Sequence, residues 1–195
     1  MVLGSALAVA GDAAAADGPR GATVSVAAGV FRPSDETLRS LYGDHQWPLM
    51  IQLEVPVAGP VSAFAGARRL TRDGTTIATS PAVDDESFPI ELTVTSFRVG
   101  GAASATRRRA RFFVAVGADY VRSSERWPAA DLSYNANGWG VVAQAGTDVP
   151  VWNRLSIRGL VEFSAVRAGD NPETGEKVAL GGLTLAAGVS YRFGR

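Results

Sequence analysis

The stretch that decides the fold lies near the C-terminus, at residues 183–193, which read LTLAAGVSYRF. Every second side chain is apolar, and those between are small or polar. The apolar set is Leu183, Leu185, Ala187, Val189, Tyr191 and Phe193, and the other set is Thr184, Ala186, Gly188, Ser190 and Arg192. Because successive side chains of a β-strand point to opposite faces, this alternation predicts a strand with one apolar face.

The same alternation recurs along most of the chain from Ala22 onward. Runs with this pattern begin near Val24, Leu49, Ile90, Phe112, Trp139 and Leu155. The run at Ile90 loses its phase over residues 96–99, where we expect a β-bulge. The Ala-rich segment 61–70 completes the set, although its two faces are not assignable. The chain therefore contains about eight strands, the smallest number found in transmembrane barrels.

The connections between these runs alternate in length. The long ones are residues 32–47, 72–87, 122–137 and 168–177, and the short ones are residues 58–60, 101–107 and 150–153. An eight-stranded antiparallel up-and-down transmembrane β-barrel has this pattern, with short periplasmic turns and longer external loops. The first long connection also predicts a helical turn over residues 36–41, capped by Ser34 or Asp35 and ended by Gly43.

The second face of the strands indicates which side points inward. It is rich in Gly, Ala, Ser and Thr, lacks Lys, and carries isolated charges at Glu54, Glu91, Asp119, Arg158, Glu162 and Arg192. A water-exposed sheet usually carries many Lys and Glu side chains, whereas a narrow lumen requires small residues and charges that can pair. We therefore expect the apolar face to meet lipid and these six charges to form a network in the lumen. The alternative is a soluble β-barrel that binds a small apolar ligand.

Composition excludes several classes of protein. The 195 residues include 19 basic and 19 acidic ones, so there is no basic excess of the kind that a nucleic-acid-binding protein shows. The chain has no cysteine, which rules out disulfides and zinc-thiolate sites. Residues 1–16 resemble the apolar core and cleavage region of a signal peptide, with cleavage after Ala16 or Ala10. No Lys or Arg precedes the apolar run, so we expect either a truncated signal or an Ala-rich leader with no export role, and place the barrel in residues 17–195.

The C-terminal strand resembles the assembly signal of bacterial outer-membrane proteins, to which Gly188, Tyr191 and Phe193 correspond in spacing. Residues 22–193 as a whole resemble the small outer-membrane β-barrels that include the OmpA transmembrane domain, OmpX and OmpW. The resemblance implies the outer membrane of a Gram-negative-type bacterium, with membrane lipids and the barrel-assembly machinery as partners. It carries no active-site motif. We expect a monomer without a cofactor or metal.

Few residues suggest chemistry. His45, the only histidine, lies in the first long loop beside Asp44, where a catalytic base would need a nucleophile within hydrogen-bond reach. The acidic residues 84–86 lack EF-hand spacing, and Gly181 and Gly182 do not precede a helix as a phosphate loop would. Arg107, Arg108 and Arg109 lie at a predicted periplasmic turn, where they could meet anionic headgroups.

The sequence therefore predicts a non-enzymatic outer-membrane barrel, which serves as a structural protein, a loop-display or adhesion protein, or a very narrow channel. A lipid-modifying outer-membrane enzyme is the alternative within the membrane class. The six lumen charges form either a structural plug or a rearrangeable gate.

Overall fold

The computed structural model describes residues 21–78, 86–169 and 178–194. Residues 1–16, for which the sequence predicts a signal peptide, lie outside this part of the chain, as does most of the acidic run 84–86. Eight long antiparallel strands form a closed ring, in which each strand pairs with its chain neighbours and the last pairs with the first. The prediction of an eight-stranded up-and-down barrel is confirmed.

The strands are β1 (Thr23–Pro33), β2 (Leu49–Ala58), β3 (Val61–Ala78), β4 (Glu86–Arg107), β5 (Ala110–Trp127), β6 (Leu132–Trp152), β7 (Leu155–Ala168), β8 (Val178–Ala179) and β9 (Gly182–Arg192). The short β8 pairs with the end of β7 and leads into β9, which closes the ring. A 3-10 turn, Pro128–Ala130, joins β5 to β6.

The two ends of the barrel differ. At one end, the turn end, strands join through the pairs Gly59-Pro60, Arg108-Arg109 and Asn153-Arg154, and the first and last strands begin and finish there. At the other end, the loop end, the connections are longer. Strands β3 to β6 have 18, 22, 18 and 21 residues, whereas β1, β2, β7 and β9 have 11, 10, 14 and 11. One side of the wall therefore rises well above the other at the loop end.

This difference corrects the predicted loops. Much of the segments 72–87 and 122–137 continues as β-structure, because the paired strands β3–β4 and β5–β6 extend into them. The predicted helical turn is confirmed as α1 (Glu36–Tyr42), whose N-cap Asp35 accepts a hydrogen bond from the backbone N–H of Leu38 at 3.1 Å. Gly43 ends the helix with φ of 83°, a conformation that glycine adopts without strain. None of the described helices has the length and hydropathy needed to cross a membrane.

The predicted bulge at residues 96–99 is wrong. Strand β4 keeps an unbroken register with both β3 and β5 through this region. Ile90, Leu92 and Val94 are buried inside the barrel, as are Ser96 and Arg98 further along the same face. At this level the inward-facing side chains of β4 change from apolar to polar. In the sequence this change resembles a shift of the alternation by one residue, which is what a bulge would produce.

The outer surface forms a belt of exposed apolar side chains. It includes Leu49, Ile51, Leu53, Val99, Val114, Val116, Val141, Ile157, Val161, Leu183, Leu185 and Val189. An eleven-residue strand tilted by about 40° spans roughly 25 Å, the height of the apolar band of membrane barrels. Exposed aromatic residues lie towards the two rims, with Trp47 and Trp139 near the loop end and Trp152, Tyr191 and Phe193 near the turn end. This surface suits lipid, and the polar interior argues against the soluble alternative.

Candidate functional site

The lumen contains eight charged side chains that are almost completely buried. Among the described residues these are four arginines and four carboxylates: Arg68, Arg98, Arg111, Arg158, Glu54, Asp119, Asp148 and Glu162. Their formal charges cancel, which the cost of burying an uncompensated charge requires. They form two groups at different heights along the barrel axis.

The lower charge cluster, near the turn end, comprises Glu54, Arg111, Asp148 and Arg158. Arg158 donates to Asp148 through Nε and Nη2 at 2.7 and 2.8 Å, and its Nη2 lies 3.6 Å from Glu54. Arg111 donates to both carboxylates, to Asp148 at 3.1 Å and to Glu54 through two nitrogens. Each carboxylate therefore contacts both guanidinium groups, which is the bidentate pairing that suits Arg.

Hydroxyl groups and one ring complete the lower charge cluster. Ser62 donates to Glu54 at 2.6 Å, and Ser190 donates to Asp148 at 3.2 Å. The Arg158 guanidinium also lies 4.7 Å from the centre of the Phe113 ring, within the range of a cation–π contact. The lower charge cluster thus ties strands from around the ring to one another across the lumen.

The upper charge cluster, near mid-height, comprises Arg68, Arg98, Asp119 and Glu162. Glu162 is its centre, because it accepts hydrogen bonds from Arg68 at 3.1 Å, from Arg98, and from the Gln144 amide at 2.9 Å. Arg68 also donates to the Thr184 hydroxyl at 3.3 Å and packs 4.7 Å from the centre of the Phe31 ring.

Asp119 is the exception in the upper charge cluster. Its carboxylate is fully buried, yet neither oxygen has a hydrogen-bond donor among the described residues. Arg98 is its direct neighbour across β4 and β5 but points to Glu162 instead. Nitrogens of Arg68 and Arg98 also lack acceptors in this part of the chain. The upper charge cluster therefore has a spare acceptor and spare donors side by side.

An apolar plug fills the lumen above the upper charge cluster. It consists of Phe31, Tyr42, Leu70, Ile90, Leu92, Val94, Val121, Val166, Ala168 and Leu180. Leu38 and Leu41 of α1 pack against it, so the helix covers the apolar plug on the low side of the wall. Burial raises the pKa of the Tyr42 phenol, and the negative charge of Glu125 raises it further. The lumen is therefore filled at three successive levels.

The cavities left beside these groups are small. One beside Glu54 and Arg111 and another beside Arg98 and Gln52 each have a volume of about 10 Å³. Such a volume holds about one water molecule. Neither is large enough for a small-molecule ligand, which typically needs a pocket of about 300 Å³ or more.

The structure places four of the six predicted lumen charges inside the barrel, two in each charge cluster. Glu54, Asp119, Arg158 and Glu162 lie inside, whereas Glu91 and Arg192 are exposed. The prediction for Glu91 is wrong because the apolar neighbours Ile90 and Leu92 do not face lipid but belong to the apolar plug, so Glu91 lies on the outer face. Arg192 lies beyond the last inward position of β9, Ser190, where the wall ends.

Sequence reasoning missed Arg68, Arg98, Arg111 and Asp148. The sequence contained a signal for two of them. Arg111 lies an even number of residues from Asp119 on β5, and Asp148 an even number from Gln144 on β6, so each lies on the same face of its strand as that inward residue. Arg98 was hidden by the expected bulge, and Arg68 lay in the segment whose faces were not assigned. On β3, the Ala-rich outward face hid the alternation that places Phe64 and Arg68 inside.

Of the predicted assembly signal, Gly188 and Tyr191 lie on the closing strand β9, and Phe193 directly follows it. Gly188 pairs with Ala27 of β1 and with Arg158 of β7, at a place where a Cβ atom would meet the Val26 carbonyl oxygen at 2.0 Å. Tyr191 and Phe193 are exposed at the turn end, and their rings meet edge to face with centroids 4.8 Å apart. His45 is exposed in the loop after α1.

No protein-family model matches the chain, and no curated protein is similar to it in sequence. Solved structures do share its fold. Neisserial surface protein A matches with a TM-score of 0.64 and 11% identity over 88% of this chain and 97% of that one. The outer membrane protein OprG of Pseudomonas aeruginosa matches with a TM-score of 0.67 and 12% identity over 91% and 99%. The N-terminal β-barrel domain of Pseudomonas aeruginosa OprF gives 0.52 and 10% over 90% and 99%.

Proposed function

We propose that this protein is a closed, non-enzymatic barrel of the outer membrane that displays a rigid β-wall on the cell exterior. The observation that carries the proposal is the uneven wall, in which β3 to β6 continue beyond the apolar belt while the lumen beneath is filled. The fold shared with OprG supports the location. The turn end then faces the periplasm, and the loop end faces outward.

The raised wall has the two faces that a displayed surface needs. Its inner face supplies Leu70, Ile90, Leu92 and Val94 to the apolar plug, which holds the wall upright without lipid. Its outer face carries polar residues, such as Glu91 opposite Arg126 on neighbouring strands. Paired strands with a buried face are stiffer than open loops, so the wall presents a fixed surface.

The top of the β5–β6 hairpin has the composition of a contact surface. Leu132 and Tyr134 are exposed there, and the Tyr134 ring packs edge to face on Trp127 with centroids 6.5 Å apart. Aromatic residues held in this way are enriched at protein interfaces. This hairpin is therefore the part of the wall that we expect external molecules to meet.

Epitope insertion tests the proposal. A short tag between Ala130 and Asp131 should be labelled by antibody on intact cells, because this turn lies at the top of the wall. A matched tag between Gly59 and Pro60 should be labelled only after the cells are permeabilised. Labelling of the Gly59 tag on intact cells, or of the Ala130 tag only in opened cells, contradicts the proposed orientation.

A narrow gated pore is the second candidate. It is favoured by Asp119, which accepts no hydrogen bond from the part of the chain that the structure describes. A network with spare donors beside a spare acceptor can rearrange, and a pore needs such freedom in its charges. Planar-bilayer recording separates the candidates, since a closed display protein should give no conductance either as wild type or as Arg158→Ala. Discrete openings of either protein would support the pore instead.

A further inference from the structure

The turn end carries a surface that neither the plug nor the raised wall explains. Among the residues that the structure describes, five arginines are exposed there: Arg107, Arg108, Arg109, Arg154 and Arg192. Among the described residues at this end, the only carboxylates are Glu54 and Asp148, and both are buried and paired inside. The exposed charges that the structure describes at the turn end are therefore all basic, and the three consecutive arginines are the densest part of this surface.

The backbone at Arg108 is strained in a way that points to a function for its side chain. All three short turns place their first residue at positive φ: Gly59 at 53°, Arg108 at 57° and Asn153 at 28°. Glycine and asparagine tolerate this conformation, which is why two-residue hairpins favour them. Arginine does not share that tolerance, so Arg108 stays there at a cost in stability. Glycine would relieve the strain at this position but would carry no charge. The arginine therefore indicates that a positive charge is needed at the tip of this turn.

The arginines border a groove whose other walls are apolar and face the membrane. The groove has a volume of about 500 Å³ and is lined by Arg107, Arg108, Arg109, Ala110, Phe112 and Val149. Phe112 and Val149 belong to the lipid-facing belt, and both are exposed. Charge thus meets hydrocarbon surface at the level where the periplasmic leaflet has its headgroups.

We propose that this groove binds an anionic phospholipid of the periplasmic leaflet. The arginines of the turn contact the phosphate, since guanidinium groups suit phosphate oxygens. An acyl chain lies along Phe112 and Val149 on the outer face of β5 and β6. The proposal rests on the membrane location given above, but it concerns a specific lipid site that a structural barrel does not require.

Native mass spectrometry of the purified, detergent-solubilised barrel tests the site, with phosphatidylglycerol and phosphatidylcholine as the probes. Each basic residue near an anionic lipid surface contributes on the order of a fivefold gain in binding. We therefore expect wild type to bind phosphatidylglycerol at least about tenfold more tightly than phosphatidylcholine. The R107Q/R108Q/R109Q variant should lose most of that preference.

The matched control is R32Q/R122Q/R167Q, which removes the same charge from exposed positions near the loop end. It should keep the preference for phosphatidylglycerol. Equal loss in the two triple variants would show diffuse attraction and overturn the site, and so would full retention in R107Q/R108Q/R109Q.

Arg108→Gly separates lipid binding from folding. Glycine suits the positive φ, so the variant should fold at least as well as wild type, as judged by its heat-dependent mobility on a detergent gel. It should nevertheless bind phosphatidylglycerol about fivefold more weakly. Unchanged binding would overturn the role of Arg108. A wild-type chain that fails to insert into vesicles at all would instead refute the membrane location.

Discussion

The two charge clusters have the same composition but different pairing. Each contains two arginines and two carboxylates. In the lower charge cluster, both guanidinium groups contact both carboxylates. Serine hydroxyls donate further hydrogen bonds to the carboxylate oxygens. In the upper charge cluster, Glu162 accepts from three side chains while Asp119 accepts from none among the described residues.

The difference shows that balanced charge does not guarantee satisfied charge. Removing one charged side chain from a buried network lowers the stability most where the remaining charges have no other partner to neutralise them. The lower charge cluster is the more completely satisfied of the two, since only Arg111 Nε lacks an acceptor there among the described residues. A more completely satisfied network is also more rigid, whereas a network with several unpaired groups retains alternative pairings of similar energy. The lower charge cluster therefore blocks the lumen and holds the strands together across it. Charged side chains that can change partners lie mainly in the upper charge cluster.

The largest effect is expected from Arg158→Ala in the lower charge cluster. The substitution leaves Asp148 and Glu54 to share Arg111 alone and removes the contact with Phe113. We expect the free energy of unfolding to fall by about 3–5 kcal/mol, the cost of leaving a buried charge uncompensated. Urea titration of the barrel in vesicles measures it, with the exposed Arg122→Ala as control. A loss below about 1 kcal/mol would mean that the lower charge cluster does not hold the barrel together.

A smaller loss is expected from Glu162→Gln in the upper charge cluster. Glutamine keeps the shape but removes the negative charge that Arg68 and Arg98 share. Hydrogen bonds to charged groups contribute about 1.5–3 kcal/mol each, and part of this is retained by the amide oxygen. The same titration should therefore show a loss of about 2–3 kcal/mol. Equal stability of this variant and wild type would contradict the central position of Glu162.

Asp119→Asn provides the matched comparison within the upper charge cluster. Because the carboxylate accepts no hydrogen bond among the described residues, its loss should change the free energy of unfolding by less than about 1 kcal/mol. A neutral amide is also less costly to bury than a carboxylate, which offsets the lost attraction to Arg68. A loss as large as that of Glu162→Gln would show that Asp119 is paired after all.

The smallest effect concerns Tyr42 in the apolar plug and appears only at high pH. Its pKa is raised by burial, so the folded barrel keeps the proton after the unfolded chain has released it at about pH 10. Stability is therefore unaffected below that pH and falls above it. Tyr42→Phe should match wild type at neutral pH and lose less stability between about pH 9 and 11. Parallel curves for the two proteins would argue against a buried phenol.

The sequence alone determined the architecture, because lipid imposes a simple rule on each outward position. Strands such as β2 and β9 alternate between lipid and lumen, and a period of two is visible without any neighbour. The alternation of short and long connections then ordered the strands into a ring. Local preferences alone placed the start of α1 after Ser34 or Asp35 and its end at Gly43, and in the structure Asp35 is the N-cap.

Only the tertiary structure decided what fills the lumen. The register between strands sets the height of each inward side chain in the barrel. That height decides whether the side chain meets the charge clusters or the apolar plug. Ile90 and Leu92 point inward into the apolar plug. Because side chains alternate along a strand, Glu91 between them points outward, against the prediction. Arg98 stands beside Asp119 but pairs with Glu162 across the lumen, 64 residues away in sequence. Period and turn length are local properties of a chain, whereas pairing across a closed barrel exists only once the ring has closed.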